Sequence, residues 1–196
     1  MTHDRSNLRS DAQENHDRLL RAAAAAFAKD GASASLKAIA QDAGVGIGTL
    51  YRRFPTRDDL VEATFRSEVA MLCEAAEPLL RDYGAAEGLR RWGLQFLTVT
   101  RVKHAMIEAL PGILAPREGL GTATRSMVLD AITLLLAAGE RDGTLRSDVQ
   151  PNDVMMALAA VGLIAQRSPA DPGIGQRLLD LFVDGLANRG THSRPD

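Results

Sequence analysis

The chain has 196 residues, a formal net charge of −2, 45% hydrophobic residues and only 4% aromatic residues. This length suits one large or two small domains, and the abundant alanine and leucine favour helices over sheet. We expect no membrane span and no signal peptide, because uncharged apolar stretches of the necessary lengths are missing. A single cysteine, Cys73, excludes an internal disulfide and is typical of a reducing cytoplasm.

The N-terminal residues predict a mobile arm followed by a long first helix. Residues 1–9 are polar, and Ser10 with Gln13 matches a capping box at a helix start. The helix is expected to run to about Lys29 and to stop at Gly31. Its inner face is predicted, at helical spacing, at Leu20, Ala23, Ala24 and Phe27.

The next segment predicts two short helices joined by a glycine turn. Ser35 is a good N-cap for the first of them. Gly44 follows its last apolar residue, where a left-handed glycine commonly ends a helix. A second short helix is expected over residues 47–53. Its inward positions are predicted to be Ile47, Leu50 and Phe54.

The outer face of this second short helix carries small, polar, aromatic and basic side chains. It leaves Gly48, Thr49, Tyr51, Arg52 and Arg53 available to an outside partner. Two short helices with a tight turn and such a face are typical of a helix-turn-helix, a motif that binds DNA. An ordinary helical hairpin inside a bundle is the alternative that the spacing alone leaves open.

The charge distribution favours the DNA-binding interpretation. Residues 1–57 contain nine Lys and Arg against six Asp and Glu, whereas the remainder of the chain has an excess of acidic residues. A basic N-terminal module on an acidic body is expected where only one end of a protein meets phosphates. Random scatter of charges is the competing explanation for a difference of this size.

Residues from about 16 to 60 resemble the DNA-binding domain of TetR-family transcriptional regulators. The matching segments are LLRAAAAAFAKDG in the first helix, LKAIAQDAGVGIGTLYRRF across the turn, and TRDDL at the start of the fourth helix. The chain departs from the common family pattern at Gly46, Arg53 and Arg57, where the family more often has serine, histidine and lysine. The resemblance implies an all-α, nine-helix, two-domain fold.

The expected domains are a mobile arm at 1–9, a three-helix helix-turn-helix DNA-binding domain at 10–55, a helical effector-binding and dimerisation domain at 56–189, and a mobile tail at 190–196.

The rest of the chain predicts six helices. Thr56 and Asp59 form a second capping box at the start of the fourth helix, and Pro78 predicts a kink or break near residue 77. Gly84 allows a new start, and Pro111-Gly112 stops the sixth helix. The fifth to ninth helices are predicted at about residues 89–102, 103–110, 122–140, 151–165 and 174–186.

The eighth helix is apolar almost all round and therefore needs cover on more than one side. Burial inside the monomer and pairing with a second copy explain this pattern equally well. A single helix-turn-helix makes too few DNA contacts for useful affinity, which favours a homodimer on an inverted-repeat operator. The family resemblance implies an interface from the last two helices. The predicted interface residues are Val154, Leu158, Val161, Leu178, Leu181 and Phe182.

The residues predicted to bind double-stranded DNA fall into two groups. Gly48 and Thr49 are assigned to base edges, and Tyr51 and Arg52 to phosphates, with guanine as the alternative partner of Arg52. The starts of the second and fourth helices are also expected to meet phosphates. The full predicted set is Ser35, Lys37, Gly46, Ile47, Gly48, Thr49, Tyr51, Arg52 and Arg57.

An apolar small-molecule effector is predicted in the larger domain, because aromatic and methionine side chains with a few polar atoms suit such a pocket. Plain core packing is the alternative for each residue. The ligand is expected to weaken operator binding, with the fourth helix as the lever. The candidate ligand-binding residues are Met71, Trp92, Phe96, His104, Met106 and Met127, with Cys73 in the same group.

The sequence offers no pattern for catalysis, metal binding or a cofactor. The glycines at 44, 46 and 48 follow a helix rather than a strand, and the four histidines lack metal-ligand spacing. No G-x-S-x-G elbow is present. We therefore predict a cytoplasmic, non-enzymatic, ligand-responsive regulator, a repressor in the simplest case. A DNA-binding dimer without an effector is the alternative.

Overall fold

The computed structural model of the protein describes residues 3–109 and 120–188. These residues form helices without a β-strand, apart from an isolated antiparallel bridge between Leu145 and Ala187. The all-α fold class predicted from the sequence is therefore confirmed. The helices are α1 (His3–Asp30), α2 (Leu36–Asp42), α3 (Ile47–Arg53), α4 (Arg57–Glu74), α5 (Ala76–Tyr83), α6 (Ala85–Ala109), α7 (Leu120–Asp142), α8 (Pro151–Arg167) and α9 (Ile174–Leu186), with a 3-10 turn at Gly31–Ser33.

The first helix begins earlier than predicted. Helix α1 starts at His3, so Ser10 is inside the helix and does not cap it. Most of the predicted arm at residues 1–9 is therefore helical. The reason is that residues 3–30 contain neither glycine nor proline, so nothing in the local sequence interrupts the helix. The end of the helix, beside Gly31, agrees with the prediction.

The break expected from Pro78 is present, but it lies slightly upstream. Helix α4 ends at Glu74, and α5 begins at Ala76. Pro78 therefore lies in the first turn of a new helix, where a missing backbone N–H costs little. Gly84, with φ of 75°, separates α5 from α6 as predicted.

The predicted fifth and sixth helices are a single helix. Helix α6 continues from Ala85 to Ala109, so the separate short helix predicted at residues 103–110 is wrong. Residues 94–109 contain neither glycine nor proline, so nothing in the local sequence interrupts the backbone hydrogen bonds of the helix. Pro111, Gly112 and the predicted tail at 190–196 lie outside the described residues.

The chain divides into two compact units. The first comprises residues 1–68 and 102–117, and the second comprises residues 69–101 and 118–196. Both α4 and α6 contribute residues to each unit. The largest side chains that are fully buried in the first unit are Leu19, Phe27, Ile39, Leu50 and Leu60. Those of the second unit are Leu89, Trp92, Ile132, Leu135, Leu145 and Leu158.

Glycines allow close helix contacts in the second unit. A Cβ added to Gly93 on α6 would lie 2.7 Å from Leu179 on α9, and one added to Gly162 on α8 would lie 2.8 Å from Thr100 Oγ1. Such distances are too short for any larger residue without a shift of the neighbour. A larger residue at either position would therefore displace the facing side chain on the neighbouring helix.

Ion pairs add to the contact between α6 and α9. Arg90 Nη1 lies 2.7 Å from Asp180 Oδ1, and Arg90 Nη2 lies 2.6 Å from Asp184 Oδ1. The planar guanidinium of Arg90 thus engages two carboxylates, spaced one helical turn apart on α9. This geometry fixes the register of the two helices.

Helix α7 contains a stretch, Thr122–Asp142, that is long and apolar enough to cross a membrane. Of the 18-residue window that meets these criteria, 44% is buried inside the protein, and the stretch also includes Asp130. One such stretch is weak evidence for a membrane span, which the sequence analysis did not expect.

Candidate nucleic-acid interface

The turn between α2 and α3 has the geometry of a Schellman motif. Gly44 has φ of 69°. The backbone N–H of Val45 donates to the carbonyl of Ala40 at 2.9 Å, and the N–H of Gly44 donates to the carbonyl of Gln41 at 3.0 Å. These two bonds end α2 and set the direction in which the chain enters α3. The glycine turn predicted from the sequence is confirmed.

Helix α2 begins and packs as expected. The hydroxyl Oγ of Ser35 accepts a hydrogen bond from the backbone N–H of Ala38 at 3.4 Å, so Ser35 is the N-cap. Ile39 and Ala40 are buried. Ser35 and Lys37 remain exposed at the start of the helix. The predicted phosphate-binding positions on α2 are therefore accessible to a partner.

One side of α3 packs into the first unit. Leu50 and Phe54 are buried, as predicted. Ile47 is 40% exposed, so its predicted inward orientation is wrong. Helical periodicity gives the direction of a side chain but not its depth, and Ile47 is the first residue of the helix, where core cover ends. Its exposure agrees better with its place in the predicted DNA-binding set.

The other side of α3 is a continuous accessible surface. Gly48 and Arg52 are exposed, Thr49 is half-buried, and Tyr51 is 49% exposed. Arg52 Nη2 donates a hydrogen bond to Thr49 Oγ1 at 3.0 Å, so these two side chains are arranged as a pair. A Cβ added at Gly48 would meet nothing within 4 Å. The absence of a side chain at this position is therefore not required by packing within the protein.

The entrance to α3 lacks a side-chain cap. Gly46 is the N-cap residue, with extended backbone angles, and supplies no capping hydrogen bond. A serine, which the family more often has at this position, could supply such a bond through its hydroxyl. A Cβ at Gly46 would also meet nothing within 4 Å.

Arg57 has a structural role that the sequence did not predict. Its Nη1 donates to the carbonyl of Ala34 at 2.7 Å and its Nη2 to the carbonyl of Gly31 at 3.4 Å. The guanidinium carbon lies 5.4 Å from the centre of the Phe27 ring. Arg57 therefore connects the start of α4 with the α1–α2 connection, and its cation is turned toward protein carbonyls rather than presented for a phosphate.

The capping box at the start of α4 is confirmed. The backbone N–H of Thr56 donates to Asp59 Oδ2 at 2.9 Å, and the N–H of Asp59 donates to Thr56 Oγ1 at 3.1 Å. This reciprocal pair fixes the start of α4 next to the end of α3.

A contact between α1 and the end of α3 was not predicted from the sequence. His16 on α1 stacks on Phe54, with ring centroids 5.6 Å apart and an interplanar angle of 25°. Its Nδ1 accepts a hydrogen bond from Arg53 Nε at 3.2 Å. The only signal in the sequence was indirect, namely that Arg53 occupies a position where the family more often has histidine.

The predicted ligand-binding residues differ in burial. Trp92 and Phe96 are buried together in the second unit, with ring centroids 5.7 Å apart, and Trp92 Nε1 donates to the carbonyl of Leu72 at 2.8 Å. Met71 and Met127 are 44% and 37% exposed.

Two further members of this predicted set belong to the other unit. His104 is half-buried in the first unit, and the side chain of Met106 lies outside the described residues. Residue type does not distinguish core packing from pocket lining, so the ligand-binding set stays a prediction.

Cys73 is not a reactive thiol in this structure. Burial raises the pKa of its thiol to about 11, and the carboxylates of Asp130 and Glu74 act in the same direction. The thiolate is the nucleophilic form, so Cys73 is almost fully protonated at neutral pH.

The predicted dimer residues divide into two groups. Val154, Leu158 and Val161 are buried within the second unit, so their assignment to an intersubunit surface is corrected. Helix α8 is apolar almost all round, and its sequence therefore does not indicate which side faces inward. On α9, Leu178 and Phe182 are half-buried, and Leu181 is 69% exposed.

A different apolar surface is exposed on these two helices. It consists of Met156, Leu163 and Ile164 on α8 together with Leu181 on α9, and is called the outer α8–α9 face below. Its members are between 42% and 69% exposed. Where exposed apolar side chains of this size form a contiguous patch, the patch is typical of an interaction surface.

Family models match both parts of the chain. Residues 19–64 match the model described as bacterial regulatory proteins of the tetR family. Residues 84–188 match the model described as the C-terminal domain of SbtR-like transcriptional regulators. The first match contains α2 and α3, and the second contains α6 to α9.

Solved structures and curated relatives agree with this result. The crystal structure of TetR transcriptional regulator SCO0520 from Streptomyces coelicolor is 40% identical, with a TM-score of 0.81, over 89% of this chain and 99% of that one. A TetR transcription regulatory protein from Mycobacterium vanbaalenii is 30% identical, with a TM-score of 0.75, over 92% and 99%.

Among curated relatives, HTH-type transcriptional regulator SAR2658 of Staphylococcus aureus (strain MRSA252) is 28% identical over 98 residues, which is 50% of this chain. The chain spans about half of the length of these curated relatives, 53% in this case.

Replacing Gly44 by alanine should destabilise the first unit. The left-handed backbone at Gly44 costs a residue with a Cβ about 1–2 kcal/mol. Denaturant titration should show this loss in the free energy of unfolding. Gly48→Ala is the matched control, because the same change in a helical position with open space should raise stability by about 0.5–1 kcal/mol. Equal effects of the two substitutions would contradict the assigned turn geometry.

Proposed function

Because the chain belongs to the TetR family of transcriptional regulators, we propose that it is a repressor that binds a palindromic operator as a homodimer and is released by an apolar small molecule. The observation that carries this proposal is the exposed face of α3, backed by the buried Leu50 and Phe54. The proposal includes a cytoplasmic location and no enzymatic activity, since the described residues suggest binding rather than chemistry.

The proposed DNA contacts follow from the accessible side of α3. Gly48 and Thr49 lie early in the helix, where base edges come within reach of a helix in the major groove. Tyr51 supplies a hydroxyl for a phosphate, and Arg52 supplies a cation for a phosphate or for the acceptor edge of a guanine. Because Arg52 is hydrogen-bonded to Thr49, its direction is partly set before DNA binds.

Phosphate contacts at α2 complete the proposed interface. The exposed Ser35 and Lys37 lie at the start of α2, and Lys37 offers a mobile cation to the DNA backbone. Backbone contacts of this kind position a protein without reading sequence. We leave Arg57 out of the direct contact set, because its guanidinium is engaged by the carbonyls of Ala34 and Gly31.

Dimerisation is proposed through the outer α8–α9 face. A single helix-turn-helix offers too small a contact area for specific affinity, and a twofold dimer doubles it. Burial of Met156, Leu163, Ile164 and Leu181 against the same residues of a second copy would remove apolar surface from water. Two helices from each copy then form a four-helix interface.

The effector site is proposed in the second unit around Trp92 and Phe96. These are adjacent large aromatic side chains, and a ligand that displaced one of them would meet an apolar surface. Helix α4 has residues in both units, which makes it the proposed connection between ligand and DNA. A ligand alters operator affinity only by binding the two conformations of the dimer unequally.

A DNA-binding dimer without an effector is the second candidate function. It is favoured by the tight packing of Trp92, which is fully buried and has its indole N–H bonded to Leu72. A side chain so well satisfied is a normal core residue. The two candidates share the DNA and dimer surfaces and differ only in their response to small molecules.

Replacing Arg52 by alanine should weaken operator binding. If Arg52 reads guanine, the loss should be about 1–3 kcal/mol and selective for one base pair. If it binds phosphate, the loss should be equal on all sequences, and the salt dependence should become shallower. Fluorescence anisotropy with duplexes at several salt concentrations distinguishes these cases. Arg66→Ala, which removes a 62% exposed arginine side chain outside α3, is the control and should leave affinity unchanged.

Replacing Leu181 by glutamate should dissociate the dimer. A carboxylate buried at an apolar interface without a partner costs about 2 kcal/mol or more per copy. Analytical ultracentrifugation should show a monomer with unchanged helical content. Leu134→Glu is the matched control on α7, where the leucine is 39% exposed. Dissociation by Leu134→Glu but not by Leu181→Glu would place the interface elsewhere.

An effector should weaken operator binding and stabilise the free protein. A panel of apolar metabolites is screened by thermal unfolding, since a ligand that binds the native state raises the melting temperature. Any stabilising compound should lower operator affinity about 5–150-fold. Phe96→Leu should reduce both effects. A stabilising compound that leaves operator affinity unchanged at saturation argues for the second candidate function.

A further inference from the structure

We propose that His16 is a positioning residue for DNA binding: it holds the Arg53 guanidinium in place to bind a backbone phosphate, and gaining a proton releases this hold. This inference rests on the proposed function and adds Arg53 to the DNA contacts. It also makes operator binding sensitive to mildly acidic pH. The contact between His16 and Arg53 joins α1 to the last residue of α3, 37 positions apart in the sequence.

The hydrogen bond requires one form of the imidazole. Arg53 Nε is always a donor, so His16 Nδ1 must be unprotonated, with the ring hydrogen on Nε2. A doubly protonated imidazole has no acceptor. The contact therefore exists only while His16 is neutral.

The imidazole ring is itself held in place. It stacks on Phe54 at a centroid distance of 5.6 Å, and Phe54 is only 5% exposed. The stacking on this buried ring restricts the orientations of the His16 ring and thereby favours the one in which Nδ1 faces Arg53.

Arg53 remains able to bind an anion while held in this way. A guanidinium has five N–H donors, and the contact with His16 uses only the one on Nε. Arg53 is exposed, and its contact with His16 does not use the Nη1 and Nη2 amino groups. The edge formed by these two groups can bind phosphate oxygens in bidentate fashion. Its place at the end of α3, beside Arg52, adds a phosphate contact next to the proposed base-reading residues.

The charges around His16 favour its neutral form. Burial lowers the pKa of His16 from its usual 6.5, and the positive charge of Arg53 lowers it further. Asp17, the other charged group acting on His16, raises the pKa in part. The carboxylate of Asp17 already accepts a hydrogen bond from Gln13 Nε2 at 2.9 Å.

The direction of the pH effect follows from these groups. Above pH 6.5 the imidazole is neutral in both folded and unfolded chains, and the contact is intact. As the pH falls below 6.5, His16 of the unfolded chain binds a proton before His16 of the folded chain does. The stabilisation that the neutral contact gives to the folded chain is therefore lost as the pH falls from 6.5 through the lowered pKa of His16. Operator affinity should fall over the same range, because a released Arg53 must be ordered again on binding.

The test compares two substitutions of His16. His16→Asn keeps a neutral oxygen acceptor close to the position of Nδ1 but cannot take up a proton. His16→Phe keeps a ring to stack on Phe54 but has no acceptor. Operator dissociation constants are measured between pH 7.5 and 5.5, with a non-specific duplex at each pH as the reference for general electrostatics.

The two variants and the wild-type protein should give three different profiles. Wild-type specific affinity should fall about tenfold, relative to the non-specific duplex, as the pH is lowered. His16→Asn should keep the high-pH affinity throughout. His16→Phe should show the low affinity at every pH. Arg53→Ala should weaken binding at least as much as His16→Phe does, and His16→Phe should have little further effect in the Arg53→Ala background.

The outcomes separate failure of this inference from failure of the proposed function. If wild-type protein binds no specific duplex at any pH, the proposed function fails and the phosphate role of Arg53 fails with it. If wild-type protein binds an operator with a pH-independent preference, or if His16→Phe binds as tightly as wild type, the inference alone is overturned. Unfolding of the DNA-free proteins must also show coupling between His16 and Arg53 at pH 7.5, and additive effects there would overturn the inference as well.

Discussion

The left-handed turn at Gly44 is the constraint on which the DNA-binding part of this chain depends. With φ of 69° and two backbone hydrogen bonds, it ends α2 and starts α3 in a fixed direction. Burial of Leu50 and Phe54 then determines which side of α3 faces outward. The contacts of Arg57 and the Thr56–Asp59 capping box hold the neighbouring segments in place. The outward side chains of α3 are therefore arranged before any DNA arrives, which limits the entropy that binding must remove.

The features predicted correctly from the sequence depend on local backbone rules. The N-cap at Ser35, the turn at Gly44 and the break beside Pro78 each follow from the conformational limits of a few neighbouring residues. The exposed side of α3 was predicted for the same reason, since its period and length are local properties. The boundary predicted at residues 102–103 had no such local basis, because neither glycine nor proline lies there, and α6 continues through it.

The features that sequence reasoning missed depend on distant contacts. The inward side of α8 could not be chosen because both sides are apolar, and the assignment of Val154, Leu158 and Val161 was corrected only by their burial. The bond between His16 and Arg53 joins residues far apart in the chain. The ligand-binding set stays a prediction, because large aromatic residues such as Trp92 and Phe96 occur both in cores and in pocket linings.

We propose that α3 enters the major groove twice, from two copies of the chain related by a twofold axis. This is tested by selecting bound duplexes from a pool of randomised DNA with the purified protein and sequencing them. An inverted repeat should be enriched, because a twofold dimer presents two identical reading surfaces. Recovery of sequences without inverted symmetry, or of no preferred sequence, would contradict it.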